Sequence, residues 1–487
     1  MEELDIAIDI ATVTKRSIHG VLALVSRTFF IQLVSFVTNF LLTIFLSPSI
    51  FGVFFVVSAA INFLGYFSDI GLAAALIQKK DEITREELKT TFTIQQVLVV
   101  TVVIIALLIS KWVGAFYHLN NAGIFLFQAL AVAFFLSSLK TIPSIILERH
   151  LFFQKLVIPQ IVETVVFSVV AVYLAVKGFG VTSFTIAVLA RGLCGVIAMY
   201  IISPWKIGIG FSKQTAKRLL SFGVPFQLNS FLALFKDDLF IAYLGKALPI
   251  AAVGYIGFAQ KWAFAPLRLI MDNVVRITFP SFSRLQHDKE TLSKAIEKSI
   301  FASTLFIFPV IVGLVGLAPY LIKLIPKYGK WEPALLSLGF FGINAAIASI
   351  STPLVNALNA IGQIKKTLYL MIFWTLITWI LTPILIFLLG FNGVAIASAI
   401  ISLSSVIVIF MVKKYVSFNP FIIMYPFLAS AIMGIFIYFV SPFVISNLIN
   451  LFLIIILSAV IYFLAMLIFA KQEITSNFQL ILNNLKQ

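Results

Sequence analysis

The chain has 487 residues, of which 61% are hydrophobic and only 11% charged, with a mean hydropathy of +1.09 and a formal net charge of +16. A soluble domain carries about 25% charged residues, so this composition excludes a soluble enzyme and turns the positive balance away from nucleic acid. One cysteine, Cys194, excludes an intrachain disulfide and a multi-cysteine metal site, and His19, His118, His150 and His287 are scattered without ligand spacing; no cofactor or metal is expected. Residues 1–18 hold four acids before Lys15-Arg16 and no small-residue cleavage site, which does not read as a signal peptide. Residues 1–20 are therefore expected to be a cytoplasmic N-terminal segment.

From there apolar runs follow one another with short charged clusters between them. A helix needs roughly 20 apolar residues to cross the hydrocarbon, and backbone groups in lipid must be satisfied internally. The alternation of a membrane β-barrel is absent. The fold class is thus all-α and polytopic, with about fourteen spans at 21–46, 50–77, 91–115, 123–147, 156–177, 180–203, 219–244, 250–276, 298–322, 333–357, 367–389, 393–412, 421–440 and 448–470. With the N-terminus inside, cytoplasmic segments gather 22 Lys and Arg and outer segments 6, namely Lys111, Lys177, Lys246, Lys323, Lys327 and Lys330. This positive-inside bias places both termini in the cytoplasm. Trp112, Trp205 and Trp331 near span ends read as interfacial anchors, and Asp81-Glu82 with Glu86-Glu87 as a solvated surface.

The chain also repeats. Pro143 to Lys155 matches Pro353 to Lys365 at an offset of 210, each running from a helix end into a basic turn. Gly178-Phe-Gly-Val181 matches Gly390-Phe-Asn-Gly-Val394, and Phe45-Leu46 with Phe51-Gly52-Val53-Phe54 resembles Tyr243-Leu244 with Val253-Gly254-Tyr255. The expected organisation is an N-lobe at 21–203 (spans 1–6), a cytoplasmic linker at 204–218, a C-lobe at 219–415 (spans 7–12), spans 13–14 at 416–470 and a cytoplasmic tail at 471–487. Six spans per copy make the copies parallel, and transporters with such repeats bind substrate near mid-membrane between the halves.

Seven bases fall within spans: Arg27, Lys140, Arg191, Lys236, Lys261, Arg268 and Arg276. The acids there are Asp69, Asp237, Asp238, Asp272 and, near an end, Glu163. Each charge costs about 2.5–3.5 kcal/mol at mid-bilayer on the insertion scale and persists when it faces a partner or a wet cavity. Lys261, Arg268, Asp272 and Arg276, spaced by 7, 4 and 4, form a stripe roughly 80° wide on span 8. Pro266 between them is expected to kink the helix. Bases outnumber acids, so the surplus fits a phosphate-bearing ligand, which Arg grips by two parallel hydrogen bonds and Lys attracts as a point charge. No Walker loop, HExxH or nucleophile motif is present.

Phe67-Ser-Asp69-Ile-Gly71-Leu-Ala-Ala-Ala-Leu-Ile77, Ser221-Phe-Gly-Val-Pro225, Asp237-Asp238-Leu-Phe-Ile241-Ala-Tyr-Leu-Gly245, Gly254-Tyr255 and Phe279-Pro280-Ser-Phe-Ser-Arg284-Leu285 resemble, in order and spacing, the polysaccharide-transporter (Wzx-type) flippases of the multidrug/oligosaccharidyl-lipid/polysaccharide superfamily. The likeness runs from about residue 20 to 415; Ala242 departs from it where a glycine is expected. It implies two six-helix lobes in a V shape plus two C-terminal helices in a bacterial inner membrane. It implies, as substrate, undecaprenyl pyrophosphate bearing an oligosaccharide repeat, on the way to O-antigen and lipopolysaccharide, capsule, teichuronic acid or exopolysaccharide. Partners would be that lipid-linked oligosaccharide, membrane lipid, a coupling proton or cation and the polysaccharide polymerase machinery. On this reading Arg27, Lys261, Arg268 and Arg276 hold phosphate, with Lys140, Arg191 and Lys236 as a second tier. Asp69, Asp237, Asp238 and Asp272 orient the bases or take the coupling ion. A drug or metabolite antiporter of the same superfamily suits a basic stripe poorly, and a membrane polymerase or ligase would need a sizeable outer loop, whereas the longest here, around 323–332, has about ten residues.

Overall fold

A computed structural model describes residues 10–66, 71–79, 81–471 and 473; the side chains of 10–26, 222, 224–226, 228–237, 272 and 273 lie outside that description, as does all of Asp69. Every regular element described is helical. In order these are α1 (Ile10–Phe45), α2 (Pro48–Tyr66), α3 (Leu72–Gln78), α4 (Arg85–Phe116), α5 (Asn121–Ser138), α6 (Thr141–Arg149), α7 (Phe153–Val176), α8 (Thr182–Ile202) and α9 (Lys213–Ala247). There follow α10 (Ile250–Leu285), α11 (Lys289–Leu324), α12 (Leu335–Ala360), α13 (Ile364–Leu389), α14 (Asn392–Leu403), α15 (Val406–Lys413), α16 (Met424–Val444) and α17 (Leu448–Phe469), with 3-10 turns at Gly329–Ala334 and Pro420–Ile423. Twelve stretches among the described residues are long and apolar enough to cross a membrane. The chain is a multi-pass helical membrane protein. α9 and α10, at 35 and 36 residues, are also long enough to span and account for the two least apolar of the fourteen expected spans.

Three of those spans are broken rather than continuous. Span 2 divides into α2 and α3, and α3 starts after Gly71 at φ 72°, a left-handed geometry that glycine adopts without strain. A Cβ at Gly71 would also lie 2.8 Å from Gly223 Cα of α9, so the break doubles as a close approach of two backbones. Span 4 divides into α5 and α6 at Leu139-Lys140, and span 12 into α14 and α15 at Ser404-Ser405. Pro266, by contrast, leaves α10 one helix.

The chain forms two compact units, Met1–Gly254 and Tyr255–Gln487. In the first, α7 packs on α1 and α8, α5 on α4 and α8, and α9 on α2, α3 and α4. The hairpin α1–α2 meets the turn entering α10 through reciprocal glycines: a Cβ at Gly52 would run into the Ile250 carbonyl, and one at Gly254 into that of Pro48. Beside α3, Glu87 is 1% exposed, which corrects its reading as solvated surface. It pairs with Lys79 at 3.0 Å and with Arg218 of α9, and with Thr84 it closes a capping box on α4.

In the second unit, Phe264, Leu267, Met271, Val274 and Val275 of α10 pack on Ile307 and Ile311 of α11 and Ala345 of α12. Trp331 is fully buried and stacks on Phe258 at 4.3 Å; it is core rather than an interfacial anchor, whereas Trp112 is exposed. Helices α16 and α17 cover α11. Pro309 of α11 has no N–H to offer the carbonyl of Leu305, and Tyr462 Oη of α17 donates to that carbonyl at 2.7 Å.

Candidate anion site in the first unit

The break between α5 and α6 builds the site. Pro143, the third residue of α6, needs no intrahelical donor at that position, but it leaves the Leu139 carbonyl without one. Tyr200 Oη of α8 donates to that oxygen at 3.1 Å. From α4, Gln95 Nε2 donates to Thr141 Oγ1 at 2.9 Å and Gln96 Nε2 to Ser138 Oγ at 3.0 Å. Held this way inside a membrane, the interruption presents Lys140 sideways from the junction.

Around it lies a cavity of about 490 Å³, lined by α1 (Arg27, Ile31), α3 (Ala73, Ile77), the α5–α6 junction (Ser137, Lys140, Thr141, Ser144, Ile145, Glu148), α7 (Pro159, Gln160, Glu163, Thr164) and α8 (Arg191, Met199). Glu163 is 9% exposed. Lys140 Nζ donates to its Oε1, and Arg191 Nε stands 3.6 Å from Oε2. One carboxylate thus serves two cations. Arg191 reaches it through Nε only, its two Nη groups make no bond to the described residues, and its side chain is 54% exposed. At the rim Glu148 is half-buried, and burial raises its carboxyl pKa above the ordinary glutamate value. The lining therefore mixes three bases and two acids, of which Glu163 is already engaged. Chemically this can receive an anion on the outward fork of Arg191, in the paired N–H geometry that suits phosphate or carboxylate.

Of the expected site residues, Arg27, Lys140 and Arg191 come together on this cavity. Lys261, Arg268 and Arg276 belong to the second unit, on a face of α10 turned away from its packing against α11 and α12; Arg268 and Arg276 are exposed. Asp238 is half-buried and accepts a hydrogen bond from Asn62 Nδ2 of α2 at 3.0 Å. Asp69, and the side chains of Lys236, Asp237 and Asp272, lie outside the described residues. The sequence marks Glu163 only as an acid near a span end and passes over Gly195. The signal available was indirect: Glu163 has no base within one helical turn on its own helix, so its partner had to come from another helix.

A family model for polysaccharide biosynthesis proteins matches residues 41–336. The succinoglycan biosynthesis transport protein ExoT of Rhizobium meliloti is 24% identical over 333 residues, covering 67% of this chain and 66% of its own length. The teichuronic acid biosynthesis protein TuaB of Bacillus subtilis is 24% identical over 397 residues, covering 77% of this chain and 78% of its own. Among solved structures, the lipid II flippase MurJ in an inward closed conformation superposes with a TM-score of 0.76 at 16% identity, covering 94% of this chain and 100% of that one. At that identity the likeness is one of fold.

Proposed function

The chain belongs to the family of polysaccharide biosynthesis proteins, and on that footing we propose that it flips undecaprenyl-pyrophosphate-linked oligosaccharide from the cytoplasmic to the periplasmic leaflet of a bacterial inner membrane. The observation that carries this reading is the half-exposed Arg191 fork in a cavity where Glu163, the acid beside it, is already shared with Lys140. A base placed so within a membrane protein asks for an anion, and the phosphates of a lipid carrier supply one. Relatives named for the transport of succinoglycan and the making of teichuronic acid support a sugar polymer as the destination.

On this reading the sugar leaves chemically unchanged, and the movement is alternating access between two six-span copies, 21–203 and 219–415, with both termini cytoplasmic. In the first unit Arg191, on the cavity it shares with Arg27 and Lys140, receives the headgroup; in the second, Arg268 is the proposed phosphate base of α10. The test is translocation of a fluorescent undecaprenyl-pyrophosphate oligosaccharide by the purified protein in liposomes. Arg191→Glu and Arg268→Glu are each expected to abolish it. Unimpaired translocation by both variants, or sugar turnover in place of movement, would overturn the proposal.

A further inference from the structure

Glu163 sits where it does because α8 offers it a flat seat. Gly195 lies one helical turn beyond Arg191 on the same helix, and the three atoms nearest a Cβ built there all belong to Glu163: Oε1, then Cγ at 2.6 Å and Cδ at 2.7 Å. No side chain fits at 195 while Glu163 keeps its place. The carboxylate, pressed against the bare backbone of α8, faces Lys140 with one oxygen and Arg191 with the other. The two contacts are unequal. Lys140 is 13% exposed and in direct hydrogen-bond contact, whereas Arg191 is mostly open and held only through Nε at 3.6 Å.

We propose that Gly195 is a positioning residue: it seats Glu163 as a resident anion that neutralises Lys140 and leaves the outward fork of Arg191 to an incoming phosphate. The inference rests on the phosphate reading above and adds how tightly the site is set. A resident carboxylate repels an arriving phosphate, so the site binds weakly enough to release what it carries. Neutralise that charge, or push it off its seat and away from Arg191, and the anion is held more tightly and let go more slowly.

The test uses the full-length protein in detergent with inorganic pyrophosphate as probe, its affinity read from the rise in unfolding temperature with ligand concentration. Glu163→Gln is expected to tighten pyrophosphate about five-fold, the worth of one unit charge a few ångströms away in a solvated site, and Gly195→Ala, which moves that charge away from Arg191 without removing it, to tighten it by a smaller factor. In liposomes both should lower KM and kcat for glycolipid together. The seat acts only through Glu163, so Gly195→Ala added to Glu163→Ala, where the obstructing atoms are gone, should leave the affinity of Glu163→Ala unchanged. This pair also serves if Gly195→Ala alone fails to fold. Tightening by Glu163→Gln with none from Gly195→Ala, or a further change when Gly195→Ala is added to Glu163→Ala, would overturn the seat while leaving the phosphate reading standing. No pyrophosphate binding by any form, Glu163→Gln included, would overturn both.

Discussion

Glu148 closes the cavity from the last turn of α6, and its burial raises its pKa. A carboxyl with a raised folded-state pKa favours the folded chain fully below the unfolded pKa, and that contribution is lost as pH rises through the folded value. Replacing it by the neutral isostere, Glu148→Gln, should therefore raise the unfolding temperature at pH 7.5 and give no gain near pH 4; thermal unfolding across that range reads the difference, and a gain independent of pH would contradict the burial argument. Glu87 makes the opposite case. It caps α4 and joins Lys79 to Arg218, so Glu87→Ala should lose about 2 kcal/mol, the scale of a hydrogen bond to a charged group plus a helix cap. Arg218, being exposed, rehydrates and keeps the loss below that of a fully buried pair. The intramembrane bases were legible in the sequence, since hydropathy makes any charge inside an apolar run conspicuous. What they pair with was not. Lys140 and Arg191 meet Glu163 across three helices, and nothing in a linear pattern states which helix faces which. Glu87 misled for the same reason: an acidic loop cluster looks solvated until Arg218, 131 residues away, is packed against it.

At the level of elements, two prolines strand a carbonyl and a tyrosine from another helix answers each. Pro143 leaves Leu139 to Tyr200, and Pro309 leaves Leu305 to Tyr462. Removing the phenol strands a carbonyl where water is scarce, so Tyr462→Phe should cost about 1 kcal/mol, the size of an interhelical hydrogen bond in a membrane. Pro309→Ala restores the N–H that Leu305 lacks. In a Pro309→Ala background Tyr462→Phe should therefore cost nearly nothing, and a cycle of unfolding temperatures that came out additive would refute the pairing. The reciprocal glycines Gly52 and Gly254 give a second cycle. Each faces a backbone carbonyl rather than a side chain that could move aside, so either alanine forces the hairpins apart at about 1–3 kcal/mol, the usual cost of overpacking. One separation relieves both clashes, so the double variant should lose little more than the worse single one. Twelve of the fourteen expected spans could be read from hydropathy, and these matched hairpins from spacing. The interruptions at Gly71 and at Leu139-Lys140 could not, because an apolar run stays apolar whether or not its helix breaks. At 139–140 the break depends on Tyr200 and two glutamines of α4 that satisfy the freed groups.

Over the whole molecule, orientation follows from where Lys and Arg fall rather than from packing, because helices alone fit a bilayer either way up. Cytoplasmic segments are expected to hold 22 of these residues and outer segments 6, a bias set during insertion. The chain's lone native cysteine, Cys194, makes the expectation easy to check. In a Cys194→Ala background, single cysteines replace Lys177 and Lys327 on the expected outer side and Lys206, Lys289 and Lys365 on the inner side. All five lysines are exposed and lie outside or at the very ends of the long helices, so each substitution should be tolerated. A membrane-impermeant maleimide added to intact spheroplasts should label positions 177 and 327 and spare the other three until the cells are lysed. A fully reversed pattern would invert the orientation and, with it, the direction of transport proposed. A mixed pattern would show that α9 and α10, the two charged helices below the hydropathy of the other twelve, do not both cross, since losing either one reverses every loop that follows it.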